Sequence, residues 1–322
     1  MHDDHAPPAP SVLDRRQLLS RCAGWAGTAA VYTMAGGTLS STSLDQALAA
    51  GPRHHGGGAA KPFTFLQISD THIGFDKAAN PHARDTAIQA VEKIKALPHQ
   101  PDLILHTGDI THLSTDAQFD DAKQILSGLS APVFYVPGEH DFLDEGQGKA
   151  FLAHYGRGTK GTGWYSFDHY GVHFVALNNV ANLKPGGMAH IGEEQLAWLK
   201  SDLAGLSAST PIVLFGHIPL WTVYEQWGWG TDDSAQALAL LRRFGSVTVL
   251  NGHIHQILHK VEGNVAFHSA RSTAYPQPAP GAAAAPGPLK VPDAQLPTML
   301  GIRSAHFVPG TGPIALVDQS FA

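Results

Sequence analysis

Five times along the chain, an apolar run suited to a short strand is followed at once by acids and histidines. Segment 63–69 leads into Asp70-Thr71-His72, 103–106 into Gly108-Asp109, and 133–136 into Gly138-Glu139-His140-Asp141. Segment 212–215 leads into Gly216-His217, and 247–250 into Gly252-His253-Ile254-His255. No other feature constrains the fold as strongly, because ligands of open α/β sheets bind outside the carboxyl ends of the strands. Motifs far apart in the chain can therefore meet at one spot. The glycines permit sharp strand-to-loop turns and close backbone approach. The side chains on offer are carboxylates and imidazoles, a donor set suited to Zn, Mn or Fe rather than to Ca or Cu(I).

Between these runs the apolar periodicity becomes helical. Segments 83–97, 193–203 and 235–244 read as helices, and a shorter one includes Phe151 and Leu152. Ser114 is placed to cap another helix. Segments 165–167 and 173–177 read as a hairpin turning near Tyr170-Gly171, and 265–268 as a further strand. The alternation predicts an α/β core in a single domain over 63–322. The stretch 276–297 is linker-like in its Pro and Ala content, but strand patterns resume at 302–307 and 314–317. It is expected to be an ordered loop returning to the sheet.

Histidine is unusually abundant, with 20 copies against 21 Lys and Arg together, which points to metals. A formal net charge of −6 lacks the clustered cations of a nucleic-acid surface, so no stable nucleic-acid partner is expected. It leaves a phosphate substrate open, since bound cations supply local positive charge. Hydrophobic residues at 43 % and charged residues at 15 % allow a substantial core.

Residues 1–49 read as an export address. Arg15 and Arg16 precede an uncharged, small and apolar run over 23–37, and Ala47-Leu48-Ala49 offers a cleavage point. The arginine pair is similar to a twin-arginine (Tat) signal, which implies the Tat export machinery as a partner and a periplasmic or secreted protein. The run is Gly-rich and short for a bilayer, so no membrane span is expected in the mature chain. Residues 50–62 read as a flexible lead into the domain. The one cysteine, Cys22, falls in the address, which removes disulfides and thiolate chemistry from the mature chain.

Taken in order, the five motifs resemble the calcineurin-like metallophosphoesterase superfamily, whose pattern runs DxH, GD, GNH(D/E), GH and GHxH. The resemblance spans Asp70 to His255. It implies a four-layer α/β sandwich, two mixed β-sheets flanked by helices. It also implies a binuclear metal-dependent hydrolase acting on a small phosphate mono- or diester, with two divalent or mixed-valence transition-metal ions (Fe, Mn or Zn). Asp70, His72 and His255 would hold the first ion, Asp109 would bridge, and His217 and His253 would hold the second. Glu139 stands where the family has Asn and would join the second ion. A metal-bridging hydroxide would be the nucleophile, His140 the leaving-group acid, and Asp141 the residue that orients His140. The stretch Ser272-Thr273-Ala274-Tyr275-Pro276 is similar to the corresponding region of bacterial members near the class III cyclic nucleotide phosphodiesterases.

A competing reading of another class is a non-catalytic metal-binding protein that retains the fold. His140 separates the two, because a scaffold needs no leaving-group acid. His112 is expected to face substrate or to lie behind the ligands. Trp221, Tyr224, Trp227 and Trp229 either wall the substrate cleft or pack a loop.

Overall fold

The computed structural model describes residues 60–184, 186–310 and 313–322. The address over 1–49, and the lead as far as residue 59, lie outside the described residues. Two mixed sheets form the centre. In the first, β1 (Phe63–Ile68), β2 (Leu103–His106) and β3 (Val133–Tyr135) run parallel, with β10 (Gly301–Phe307) and β11 (Ala315–Ser320) antiparallel at the β1 edge. In the second, β5 (Val172–Ala176), β6 (Ile212–Phe215), β7 (Val247–Asn251) and β9 (Val265–Ser269) are parallel. Antiparallel β4 (Tyr165–His169) and β8 (Leu258–Glu262) close its edges.

Successive side chains of a strand point to opposite faces, and here both faces are covered. Phe65, Leu105 and Phe134 of the first sheet pack against Phe174, Phe215 and Leu250 of the second. The alternate residues Leu66, Ile68 and Ile104 face α1 (Ala83–Lys95), α2 (Asp116–Leu126) and α3 (Lys149–Tyr155). Val175, Leu214 and Val249 face α4 (Glu193–Leu203) and α5 (Ser234–Leu241). Helix, sheet, sheet and helix make four layers, and burial on both faces explains why the central strands are apolar throughout. α1 shows the matching helical logic: Ala83, Ala87, Ala90, Val91 and Ile94 are its buried residues, one stripe at helical spacing.

Two expectations change, and one strand is added. Ser114 does not cap α2; Thr115 does, accepting the Gln118 backbone N–H at 3.3 Å. Ser114 instead donates to the His140 carbonyl at 2.6 Å and accepts from the Leu143 N–H at 2.9 Å, so it braces the loop after β3. β8 escaped the sequence reading because an edge strand exposed on both sides carries no apolar alternation. Strand β11 begins at Ala315, one residue later than the pattern placed it. The stretch 276–297 does return to the sheet, through α6 (Leu296–Met299) into β10. Among the described residues, no helix is long and apolar enough to cross a membrane.

Candidate metal centre

All five motifs sit just beyond the carboxyl ends of parallel strands: Asp70 after β1, Asp109 after β2, Glu139 after β3, His217 after β6 and His253 after β7. The first two loops continue the sheet pairing past the strands. Asp70 N–H donates to the Gly108 carbonyl at 3.0 Å, and His72 N–H to the Asp109 carbonyl at 2.9 Å. This locks the two acids side by side. The approach is close enough that a Cβ on Gly138 would stand 2.1 Å from Asp109 Oδ1, and one on Gly252 2.6 Å from Asp70 Oδ2. Only glycine fits at either place.

Seven side chains converge in two groups. In the first, His72 Nε2 lies 3.3 Å from His255 Nε2, which lies 3.2 Å from Asp70 Oδ1. In the second, Glu139 reaches both histidines, Oε2 at 2.9 Å from His217 Nε2 and Oε1 at 2.9 Å from His253 Nδ1. Asp109 stands between them. Its Oδ2 is 3.4 Å from His72 Nε2 and 3.3 Å from His217 Nε2, so one oxygen faces both groups. Glu139 is therefore turned into the site.

A metal fits these residues better than a hydrogen-bond network does. Although Glu139 Oε2 and His217 Nε2 are 2.9 Å apart, they are not aligned as donor and acceptor, and both remain without a hydrogen-bond partner. Asp70 Oδ2 and His253 Nδ1 are buried in the same condition. Orphaned buried polar atoms cost about 1–3 kcal/mol each, and here they crowd one place. His217 Nδ1 donates to the Thr107 carbonyl at 2.7 Å, and His255 Nδ1 to the Tyr275 carbonyl at 2.5 Å. In the neutral rings both Nε2 atoms are then bare lone pairs aimed inward, the arrangement of metal-holding imidazoles.

The electrostatics agree. Burial alone would raise the Glu139 and Asp70 carboxyls, yet the facing histidines hold Glu139 well below its usual range and lower Asp70. Burial and the neighbouring His140, His255 and His112 keep His72 well below its usual value, hence neutral and able to ligate. Burial opposes a charge on His217, but Asp109 and Glu139 outweigh it and hold that ring well above its usual value. Without a cation, a proton occupies the place that a cation would take.

His140 sits against this centre. Its backbone N–H donates to Asp109 Oδ1 at 2.9 Å, and its ring stacks on His112 with centroids 4.7 Å apart. Burial works against its charge, but Asp109 and Glu139 raise its pKa. The expectation that Asp141 orients the ring does not hold. Nδ1 of His140 donates to the His112 carbonyl at 2.8 Å, while Asp141 accepts from the backbone N–H groups of Ile110, Thr111 and Gly138 and from the Thr111 hydroxyl. Four donors fix that carboxylate as a brace between the loops after β2 and β3. Burial and Asp109 push it up to about 6.

His112 lies behind the ligands, its Nδ1 3.5 Å from His72 Nδ1. The aromatic residues divide. Trp229 is buried edge-on to His253 at 6.3 Å, with Trp227 against it, while Trp221 packs on Phe267 in the core. Sequence reasoning passed over the Tyr275 side chain, whose hydroxyl is 3.1 Å from His72 Nε2. An aromatic in a Pro-rich stretch carries no spacing signal that would have found it.

The model of the calcineurin-like phosphoesterase family matches residues 63–257, the segment that contains every one of these motifs. Among curated proteins, a 3',5'-cyclic-nucleotide phosphodiesterase of Nostoc sp. is 24 % identical over 220 residues, spanning 66 % of this chain and 79 % of its own. The 3',5'-cyclic adenosine monophosphate phosphodiesterase CpdA of Escherichia coli is 29 % identical over 205 residues, 60 % of this chain and 70 % of its own. Among solved structures, a dimetal phosphatase from Danio rerio superimposes with a TM-score of 0.61 at 15 % identity, over 81 % of this chain and 96 % of that one. At that identity it shows a shared fold.

Proposed function

Because the chain belongs to the calcineurin-like phosphoesterase family, and so to the metal-dependent phosphoesterases, we propose that it hydrolyses a small phosphodiester at a two-cation centre, with His140 as the leaving-group acid. The observation that carries this reading is Asp109, one of whose oxygens faces both ligand groups. Asp70, His72 and His255 would hold one cation and Glu139, His217 and His253 the other, with Asp109 shared between the two groups. When bound, a pair of cations lowers the pKa of a water and offsets phosphoryl charge. The rest falls to side chains. The His112 carbonyl binds Nδ1 of His140, which leaves Nε2 to carry the proton that the departing alkoxide needs. Without a cation, Asp109 and Glu139 raise the pKa of that ring against the effect of burial; a general acid must start from the charged form.

Glu139 supports a diester over a monoester. Asp70, Asp109 and Glu139 bring three negative charges against four from two divalent ions, one more than with a neutral amide at position 139. A singly charged diester suits the less positive site better than a doubly charged monoester. Relatives named for cyclic nucleotides and for glycerophosphodiesters point the same way. The arginine pair and apolar run over 1–49 support export to the periplasm or beyond by the Tat machinery. The test is hydrolysis of bis-para-nitrophenyl phosphate and of para-nitrophenyl phosphate, with and without Mn²⁺. We expect metal-dependent turnover with the diester faster; no turnover of either ester with two metals bound would favour the scaffold.

A further inference from the structure

We infer that β8 joins two copies of this chain, pairing antiparallel with β8 of the second copy around a two-fold axis at Val261. Among the described residues, β8 pairs only with β9, so its outer edge stands open. His259, Lys260, Val261 and Glu262 are all exposed. An open edge offers unpaired N–H and C=O groups to any strand that matches it, and proteins blunt such edges with proline, lysine or bulges. This edge has no proline, its pairing to β9 runs residue for residue without a bulge, and Val261 stands 63 % exposed within it. The one guard is Lys260, and Glu262 offsets its charge at 2.7 Å. The surface involves no residue of the metal centre, and the turn at Gly263 lies at the end of β8 away from His255.

The hairpin decides which groups point outward. Gly263 and Asn264 connect β8 to β9, and Gly263 has φ 60°, as the first position of a type II′ turn requires. Glu262 and Val265 flank that turn and form the first hydrogen-bonded pair. Bonding alternates from there, so Lys260 bonds β9 while Val261 and His259 turn their N–H and C=O to the open side. A two-fold interface must be self-complementary, and in this register β8 is. Each Val261 exchanges both main-chain bonds with its mate. Lys260 falls opposite Glu262 of the second copy, and the axis repeats the pair, in the positions where cross-strand side chains come closest. His259 falls opposite Gly263, where a Cβ would meet nothing within 4 Å and the ring has room. Moving the axis one residue either way would set Lys260 or Glu262 against its own copy, a destabilising like-charge pair. Charge, apolar contact and space therefore select one register.

The experiment is sedimentation equilibrium of the full chain at micromolar concentration, with circular dichroism to report the fold. The wild type should sediment at twice the chain mass and dissociate more readily as salt is added, because the charge pairs are exposed. Lys260→Glu makes the strand purely acidic and Glu262→Lys makes it purely basic. Each variant alone should dissociate at least about tenfold more readily. Mixed in equal amounts, the two should recover the association as a heterodimer, since every charge then faces its opposite. Both variants lack the ion pair within β8, so the recovery arises between chains. Val261→Pro removes an N–H that β9 does not use, and should stay folded as a monomer. A monomeric wild type, a dimer indifferent to both charge reversals, or no recovery on mixing the folded variants overturns the inference. Should a charge variant fail to fold, Val261→Pro decides, and a dimer that survives it also overturns the inference.

Discussion

The two halves of the centre are built from similar side chains and differ in how they are enclosed. Asp70, His72, Asp109 and His255 are buried, and His72 is backed by His112 and Tyr275. In the other half His217 is buried, but Glu139 is 25 % exposed and His253 12 %. The first half is a closed cage that forms with the core. The second is partly open to solvent, with Trp229 buried edge-on to His253. Enclosure slows the departure of an ion and openness admits a substrate, so one position should retain its metal while the other exchanges.

The largest effect expected is the loss of all activity on complete chelation. During a chelator titration, elemental analysis should show the ion of the open Glu139 half leaving before the other, with activity falling as it leaves. Simultaneous loss of both ions would erase the distinction between the halves. Next in size is His140→Ala. Turnover should drop by roughly 10²–10⁴ with metal content close to normal, since a general acid is lost and no ligand. Substrates with good leaving groups should suffer less, and an equal loss for all leaving groups would mean that His140 protonates nothing.

Glu139→Asn sharpens the comparison from the open side. Retention of the second metal should weaken about 10–100-fold, the first metal should stay, and the monoester-to-diester rate ratio should rise. Unchanged affinity together with an unchanged ratio would remove Glu139 from the centre. The smallest effect belongs to a histidine that faces two carboxylates without forming a metal site. His173 bonds Asp168 through Nδ1 at 2.7 Å and Asp202 through Nε2 at 2.9 Å, so both nitrogens are satisfied as donors. Burial opposes the charge, but the two carboxylates raise its pKa to about 9. A raised folded-state pKa stabilises fully below the unfolded value of 6.5 and the benefit fades as pH rises through 9. His173→Gln should therefore cost about 1–3 kcal/mol in denaturant melts at pH 6, less above pH 9, with metal content unchanged. A pH-independent cost would show that the ring only fills space.

That contrast also explains what could be read from the sequence. His217 and His173 both lie beside acids, and only the motif order marks His217. Asp70, Asp109 and His253 were legible because a strand end, a turn and a ligand type coincide in a few residues, and strand ends are what the fold brings together. Asp141 was misread for the same reason. Its neighbour in sequence is His140, but its partners are main-chain groups after β2 that no local pattern names. Tyr275 and Ser114 act across loops, where nothing in the spacing fixes direction. The apolar runs of the inner strands announced themselves; β8, exposed along nearly its whole length, did not.

Asp70, His72, Asp109, His253 and His255 all carry positive φ, between 40° and 66°. For residues other than glycine this conformation costs of order 1 kcal/mol each, and five of the seven side chains at the centre hold it. Selection for thermostability alone, with activity left unwatched, would find its easiest gains here, since glycine relaxes the backbone at every one of these positions. Relatives that abandoned catalysis should show the same drift, with glycine and asparagine accumulating at these five places while the strands beneath them stay apolar. The centre persists only while something is continually asked of it.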